Sequence, residues 1–202
     1  MTETAPQTLA SQALAGTLPP HLAGTTIRFA TAADVPALRA LVERAFRGDS
    51  ARQGWTHEAD LLDDERTSDA VLAETIADPA ARVLLAECEG ALIGTVTVRN
   101  LGASSGGCPG GALAYMGMLG VDPALQAGGL GRALIRAVEH AAVAEFGARL
   151  MEMTVIDQRP ELIVFYERCG YAYEGETRPF PGSDDHPFAM VVLTRALDRD
   201  DA

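Results

Sequence analysis

The segment Gln126-Ala-Gly-Gly-Leu-Gly-Arg132 decides how the fold of this chain is interpreted. It follows a continuous apolar run, Ala112–Val121, which is typical of a buried strand and is broken by Asp122-Pro123. A helix pattern then runs from about Gly129 to Phe146, with an apolar stripe opposite Arg and Glu side chains. The sequence therefore predicts a strand, a glycine-rich loop and an amphipathic helix in succession.

The glycine-rich loop has the properties of an anion site. Glycines leave backbone N–H groups unobstructed, and the N-terminus of the following helix carries a partial positive charge. Arg132 and Arg136 add positive charge in an acidic chain, so phosphate is the expected ligand. A nucleotide phosphate loop would need a Lys, which the chain lacks, and a dinucleotide fingerprint would need a third glycine that is missing here.

Composition indicates an ordinary globular domain. The chain has 202 residues, of which 48% are hydrophobic and 22% charged, and these values favour one folded domain. We assign residues 1–25, which are rich in Ala, Thr, Gln and Pro, to a flexible N-terminal tail, and residues 26–197 to a single domain. The absence of Lys also excludes Schiff-base chemistry on a lysine.

Charge and cysteine usage limit the partners. Sixteen basic and 28 acidic residues give a formal net charge of -12, which disfavours nucleic acid and anionic membranes as partners. The acidic stretch 49–78 favours a cationic small molecule.

Cys88, Cys108 and Cys169 show no disulfide or zinc spacing, and we expect no metal. Because the sequence shows neither a membrane-length apolar run nor a signal-peptide pattern, we expect a cytoplasmic protein.

Alternating strand and helix patterns extend on both sides of the glycine-rich loop. Two apolar runs joined at Glu89-Gly90 predict a hairpin, and Asn100–Gly111 is predicted to be a loop. The other predicted elements are a strand at Thr26–Ala30, a helix through Val35 and Phe46, two short helices within 49–78, a strand at Leu150–Ile156, a helix from Pro160 to Gly170, and strands at Tyr171–Thr177 and Ala189–Thr194.

Two separated motifs resemble the GNAT superfamily of acyl-coenzyme A dependent N-acyltransferases, of the small bacterial type. The phosphate-binding signature of that family is Arg or Gln, two residues, Gly, one residue, and then Gly or Ala, which Gln126, Gly129 and Gly131 match. The segment Phe165-Tyr-Glu-Arg-Cys-Gly-Tyr171 matches the family's late helix and its exit into the next strand. The resemblance covers about residues 26–195.

The resemblance implies an α/β fold of mixed α+β type, in which helices flank a mostly antiparallel central sheet. The sheet would be splayed between the strand that ends near Val121 and the strand that starts at Leu150, and acetyl-coenzyme A would lie in the splay. Strand backbone would hold the pantetheine, and loop amides would hold the pyrophosphate. The implied cofactor-binding residues are Leu119, Gly120, Val121, Gln126, Ala127, Gly128, Gly129, Leu130, Gly131 and Arg132.

The resemblance also implies direct attack of a neutral amine on the thioester carbonyl. Tyr166 occupies the position of the family's general acid, and a phenol of pKa about 10 can donate to a leaving thiolate of about 8.5. Many relatives carry a Glu in the strand where this chain has Tyr115-Met-Gly-Met-Leu119. Glu152 is our first candidate for the general base, because it interrupts an apolar strand beside the expected cleft. A structural hydrogen bond is the alternative explanation for Glu152.

Trp55, Glu58 and Arg66 lie where the family builds the wall that binds the acceptor. The tryptophan ring could flank a substrate, and Glu58 could pair with an ammonium group. Each could equally be an ordinary core or surface residue.

The sequence therefore favours an N-acetyltransferase that moves acetyl from acetyl-coenzyme A to an amine of a small cationic molecule in a ternary complex. Two alternatives stay open. One is a protein or peptide N-terminal acetyltransferase, and the other is a non-catalytic acyl-coenzyme A sensor or interaction module, suggested by the missing strand carboxylate. Exposed strand edges are compatible with a homodimer.

Overall fold

The computed structural model describes residues 22–54, 65–103, 111–181 and 187–198. No helix in these ranges is long and apolar enough to cross a membrane. The strands are β1 Thr26–Phe29, β2 Ala81–Cys88, β3 Ala91–Ala103, β4 Ala112–Val121, β5 Ala148–Ile156, β6 Ala172–Pro179 and β7 Ala189–Ala196. The helices are α1 Val35–Phe46, α2 Gly48–Ala51, α3 Asp69–Ala77, α4 Leu130–Phe146 and α5 Pro160–Glu167, with 3-10 helices at Ala32–Asp34 and Pro123–Leu125.

The strands form one mixed sheet in the order β1-β2-β3-β4-β5-β7-β6. Every neighbouring pair is antiparallel except β4 with β5, which is parallel. The predicted hairpin between β2 and β3 turns at Glu89 and Gly90, whose φ angles are 50° and 79°. Two central residues with positive φ are what a two-residue hairpin turn requires. The mostly antiparallel mixed sheet predicted from the sequence is confirmed.

The loop predicted over Asn100–Gly111 is wrong at its start, because β3 continues to Ala103. Gly102 and Ala103 pair with Leu113 and Ala112 of β4. The Asn100 side-chain oxygen accepts a hydrogen bond from the Gly102 N–H at 2.8 Å, at an irregularity in the register. Residues that are typical of a turn therefore form a bulge inside the sheet. Residues 104–110 lie outside the described residues.

Side chains alternate between the two faces of the sheet and divide the core into two clusters. Helices α4 and α5 pack on one face, through residues such as Leu134, and helices α1 and α3 pack on the other, through Leu38 and Leu72. In β2, Leu84 belongs to the first cluster and Leu85 to the second. We refer to these surfaces as the α4 face and the α1 face.

A buried network of polar groups joins α4 to the far end of the sheet. Glu139 of α4 is 2% exposed, and it accepts hydrogen bonds from the Tyr171 hydroxyl at 2.8 Å and from Arg195 Nη1 at 2.6 Å. Burial, and then the charge of Glu139, raise the pKa of Tyr171 well above its ordinary value, so the phenol stays protonated as a donor. The network links α4, the segment after α5, and β7.

The tail predicted over residues 1–25 overlaps the folded part of the chain. Leu22 is 5% exposed and belongs to the core on the α4 face, and the Thr25 N–H donates to its carbonyl at 3.0 Å. At the other end, Leu197 is buried in the same core. Residues 1–21 lie outside the described residues, and the domain limits stay a prediction.

The buried network predicts a large stability effect at Glu139. Replacing Glu139 by Ala would leave Arg195 and the Tyr171 hydroxyl without a buried acceptor, so we expect a loss of about 3–5 kcal/mol in the free energy of unfolding. Urea denaturation followed by circular dichroism would measure it. The control is Glu145→Ala, which removes the partner of Arg82; Glu145 is more exposed than Glu139, so the change should cost about 1 kcal/mol or less. Equal losses in the two variants would show that the buried network of Glu139 stabilises the fold no more than the Arg82–Glu145 ion pair does.

Candidate active site

The parallel pairing between β4 and β5 stops partway along the strands. It runs from Ala112 opposite Ala148 to Tyr115 opposite Glu152. Beyond this point the strands diverge, and residues 116–119 of β4 and 153–156 of β5 line a cavity of about 1020 Å³. This is the splay that the sequence predicted, and its volume is that of a site for a large ligand.

A bulge in β4 lies at the centre of the splay. Thr97 pairs with Gly117 and Thr95 pairs with Gly120, so two residues of β4 stand opposite one residue of β3. Met118 in this bulge has a φ of 50°, an uncommon value for a residue with a side chain. The bulge changes the direction of the backbone groups that follow it. Past Tyr115, the edge of β4 that faces the splay has no strand partner among the described residues, so an extended ligand can pair with it.

The glycine-rich loop closes one end of the cavity. Ala127 and Gly129 have φ angles of 63° and 87°, and Gly129 is the N-cap of α4, with no side chain to bond the first amides of the helix. The first N–H groups of a helix have no partner within the helix. That the N–H groups of residues 130–132 bind an anion stays a prediction.

Most of the predicted cofactor residues lie in the walls of this cavity. They are Leu119, Val121, Gln126, Ala127, Gly129, Leu130, Gly131 and Arg132. Gly120 and Gly128 are not among the lining residues. The Gln126 amide nitrogen donates to the Val121 carbonyl at 3.3 Å, and a Cβ on Gly54 would come within 2.6 Å of the Gln126 side-chain oxygen. The Gln126 side chain therefore joins the end of β4 to the segment after α2.

Tyr166 lies on α5 and lines the same cavity, although it is only 7% exposed. Its ring meets those of Phe165 and Tyr171 edge to face, at centroid distances of 5.1 and 6.1 Å. The Tyr171 N–H also donates to the Tyr166 carbonyl at 3.1 Å. Aromatic packing thus holds Tyr166 in one orientation at the edge of the cavity.

Glu152 is held by an ion pair that sequence reasoning did not foresee. Its two carboxylate oxygens accept hydrogen bonds from Arg178 Nη1 at 2.6 Å and Nη2 at 2.8 Å. The hydrogen bond with Glu152 is the main cause that raises the pKa of the Arg178 guanidinium above its ordinary value. Glu152 is buried and is not among the lining residues of the cavity. These contacts fit a structural role for the Glu152 carboxylate, as the partner of Arg178, better than a role as general base.

The α1-face side of the cavity brings together residues from distant segments. Arg66, a predicted acceptor residue, lies there, and its guanidinium stacks over the Phe46 ring at 5.2 Å. Tyr115 also lines the cavity, and its hydroxyl hydrogen-bonds to the Thr154 hydroxyl at 2.8 Å. Sequence reasoning missed Phe46, Tyr115 and Thr154, because they resemble ordinary core positions. Trp55 and Glu58 lie outside the described residues.

The charged residues that line the cavity are mostly basic. The described part of the wall contains five arginines and one glutamate, Glu161, which is ion-paired with Arg159. Arg132 lies beside the Cys169 thiol, where burial raises the thiol pKa and Arg132 acts in the opposite direction. In the ranges that the structure describes, no group of three His, Cys, Asp or Glu residues could hold a metal ion.

The fold and the site define a protein with a long cavity between two diverging strands and a glycine-rich loop at one end of that cavity. Residues 37–171 match the family model described as "Acetyltransferase (GNAT) family", and the chain belongs to this family of acetyltransferases, which use acetyl-coenzyme A. None of the curated proteins matches the sequence significantly.

Solved structures support the same fold. The chain resembles yncA from Salmonella typhimurium, solved with its cofactor acetyl-coenzyme A, with a TM-score of 0.61 and 22% identity over 87% of this chain and 95% of that one. It also resembles spermidine N-acetyltransferase from Vibrio cholerae, in complex with coenzyme A and spermine, with a TM-score of 0.61 and 18% identity over 86% and 96%. The ribosomal-protein-S18-alanine N-acetyltransferase from Escherichia coli gives a TM-score of 0.63 and 18% identity over 86% and 94%. At these identities the likeness shows the fold alone.

The loop geometry predicts that Arg132 contributes to the binding of coenzyme A. Replacing Arg132 by Glu puts a repulsive charge at the N-terminus of α4, and we expect binding to weaken at least 10- to 100-fold. Isothermal titration with coenzyme A and acetyl-coenzyme A would measure the dissociation constant. Arg136→Glu is the matched control, since Arg136 is also exposed on α4 but lies outside the cavity wall. Equal weakening in both variants would indicate only a change in net charge.

Proposed function

We propose that the protein transfers the acetyl group of acetyl-coenzyme A to an amine of a small molecule, within a ternary complex. One observation carries this proposal. A single cavity passes through the splay, from the glycine-rich loop on the α4 face to Phe46, Arg66 and Tyr115 on the α1 face. A co-substrate entering from one face and an acceptor entering from the other can therefore meet between β4 and β5.

The chain's own residues fit this co-substrate. The first amides of α4 and the Arg132 guanidinium would hold its phosphates, and the edge of β4 after Tyr115 would pair with its amides. Bound in this way, acetyl-coenzyme A supplies a thioester carbonyl as the electrophile. The bulge at Met118 supports an oxyanion role for the N–H of Leu119, because backbone that leaves the regular ladder can direct a donor into the splay.

We assign the general acid to Tyr166. It lines the cavity, its ring is fixed by Phe165 and Tyr171, and a phenol can protonate a leaving thiolate. The identity of the general base stays a prediction. Glu152 would have to give up a charge-assisted bond to Arg178 before it could accept a proton. The hydroxyl pair of Tyr115 and Thr154, which faces the cavity, is better placed to orient a water that takes the amine proton.

Two other functions remain open. N-terminal acetylation of a protein would use the same chemistry on a peptide, and one similar structure is a ribosomal-protein-S18-alanine N-acetyltransferase. A non-catalytic acyl-coenzyme A sensor would bind the co-substrate and show no turnover with any amine. The presence of Tyr166, our candidate general acid, in the wall of the cavity supports catalysis over sensing.

Tyr166→Phe tests the acid assignment. Removing the hydroxyl should lower kcat by about 10²- to 10⁴-fold and leave the affinity for acetyl-coenzyme A nearly unchanged, because the ring packing is retained. Steady-state release of coenzyme A thiol and isothermal titration would measure the two quantities. Tyr173→Phe, at an exposed position on β6, is the matched control. Normal turnover in the Tyr166 variant would remove the assignment.

Glu152→Gln separates a base from a structural anchor. If the carboxylate only holds Arg178, the pH–rate profile should overlay that of the wild type, while the free energy of unfolding falls by about 1–2 kcal/mol. Arg178→Gln should give a similar loss, and the double variant should lose less than the sum of the two. Disappearance of the acidic limb of the pH–rate profile in Glu152→Gln would instead establish Glu152 as the base, because a general base loses activity when it is protonated at low pH.

A further inference from the structure

We propose that Tyr115 limits the length of the acyl group that the protein accepts, because its side chain closes the narrow end of the splay beyond the thioester. The inference rests on the proposed function and specifies which acyl-coenzyme A donors the same cavity holds. In this arrangement an acetyl group fits between the oxyanion donor and the Tyr115 ring, and a long acyl chain does not.

The glycine-rich loop and the open edge of β4 together set the direction of the donor. The start of α4 lies next to the Val121 end of β4, since a Cβ on Gly131 would lie 4.0 Å from the Val121 side chain. Phosphates at this helix would therefore place the rest of an extended donor along β4, from Val121 toward Tyr115. The pairing of β4 with β5 ends at Tyr115 and Glu152. The acyl end of the donor thus points at the place where the two strands meet.

The Tyr115 side chain leans out of the paired part of the sheet into the splay. Its hydroxyl hydrogen-bonds at 2.8 Å to Thr154, which lies further along β5 than Glu152, the residue that pairs with Tyr115. Its ring also extends toward Gly117, the next residue of β4 on the same face. The side chain therefore crosses the gap between β4 and β5 at the level of Gly117 and Thr154.

The ring is held in this position from both strands. A Cβ on Gly117 would lie 3.3 Å from a carbon of the Tyr115 ring and 3.2 Å from Thr97 Oγ1, so the glycine leaves the room that the ring occupies. On the other side, the bond to the Thr154 hydroxyl fixes the far end of the ring. An aromatic ring that is fixed at both ends forms a wall across the narrow end of the cavity.

The distance from the oxyanion donor to this wall suits a short acyl group. The proposed donor is the N–H of Leu119, and two residues of strand, from Leu119 back to Gly117, span about 7 Å. A non-bonded contact with the ring takes about 3.5–4 Å of this length. The remainder holds two or three carbons joined by bonds of about 1.5 Å. A longer chain would meet the ring.

More space lies on the other side of Tyr115. A smaller cavity of about 220 Å³ shares Tyr115 with the main cavity, together with Arg66 and Met118. Its walls include Leu72 and Val98, which are buried apolar residues. Tyr115 is therefore part of the boundary between the two cavities, and a smaller side chain at this position would connect them.

The test compares donors of different acyl length and does not depend on the identity of the acceptor amine. Isothermal titration with coenzyme A and with acetyl-, butyryl- and hexanoyl-coenzyme A would give the dissociation constants of the wild type and of each variant. The measured quantity is the affinity for hexanoyl-coenzyme A divided by the affinity for acetyl-coenzyme A. This ratio cancels any change in the binding of the coenzyme itself, and an effect of Tyr115 on proton transfer does not enter it.

Three variants separate the ring from its hydroxyl. Tyr115→Ala removes the ring, Tyr115→Val puts a smaller residue with high strand propensity in its place, and Tyr115→Phe keeps the ring alone. In the wild type we expect hexanoyl-coenzyme A to bind no more tightly than acetyl-coenzyme A. Because each buried methylene adds affinity, the ratio should rise about 10- to 100-fold in Tyr115→Ala, rise less in Tyr115→Val, and stay within about 3-fold of the wild type in Tyr115→Phe.

Tyr173→Ala is the matched control. Tyr173 is exposed on β6 and is not among the lining residues of either cavity, so its removal should leave the ratio unchanged. The affinity of each variant for coenzyme A itself shows whether the fold is intact. Tyr115→Val decides the question if Tyr115→Ala does not fold.

The remaining outcomes overturn the proposal in distinguishable ways. If the wild type binds hexanoyl-coenzyme A at least 10-fold more tightly than acetyl-coenzyme A, Tyr115 does not limit the acyl group. If a folded Ala or Val variant keeps the ratio of the wild type, or if Tyr173→Ala raises it equally, the assignment fails and the proposed function stands. If the wild type does not bind coenzyme A, the proposed function fails first, and the inference fails with it.

Discussion

The end of hydrogen bonding between β4 and β5 is the constraint on which the rest of the structure depends. Each strand keeps its other neighbour to the end, β4 on β3 and β5 on β7, so the sheet opens without either half losing its own ladder. Tyr115 and Glu152 are the last residues paired across the opening. Both carry polar contacts there, Tyr115 to Thr154 and Glu152 to Arg178, and these contacts fix where the opening begins.

An open sheet leaves polar backbone exposed on both sides of the gap, and this has an energetic consequence. Unpaired N–H and C=O groups in an apolar cleft are unfavourable, so the two halves must be held apart by other interactions. Helix α4 packs across β2–β5 through the larger core, and Glu139 fastens the same helix to Tyr171 and Arg195 beyond the gap. A ligand that pairs with the edge of β4 would satisfy groups that the protein leaves open.

Short-range patterns were enough to predict part of the cavity wall, and long-range pairing explains what was missed. The glycine-rich loop and Tyr166 were found because loop, helix start and late helix each lie within one continuous segment. The partner of Glu152 was missed because Arg178 lies on β6 and reaches Glu152 past β7, which separates their strands. The bulge at Met118 was missed because the positive φ falls on Met118 and not on the neighbouring Gly117 or Gly120.

The net charge of a chain does not by itself give the charge of a cleft, for a physical reason. The formal sum counts all acids equally, while the field in a cleft depends on the charges that line it and on whether each is already paired. In this chain, Glu43 accepts hydrogen bonds from backbone N–H groups at 66 and 67, and Asp78 pairs with Arg99. Glu43 and Asp78 thus stabilise local structure, and arginines outnumber acids in the part of the cleft wall that the structure describes. An anionic co-substrate can therefore be bound by a protein whose total charge would repel it.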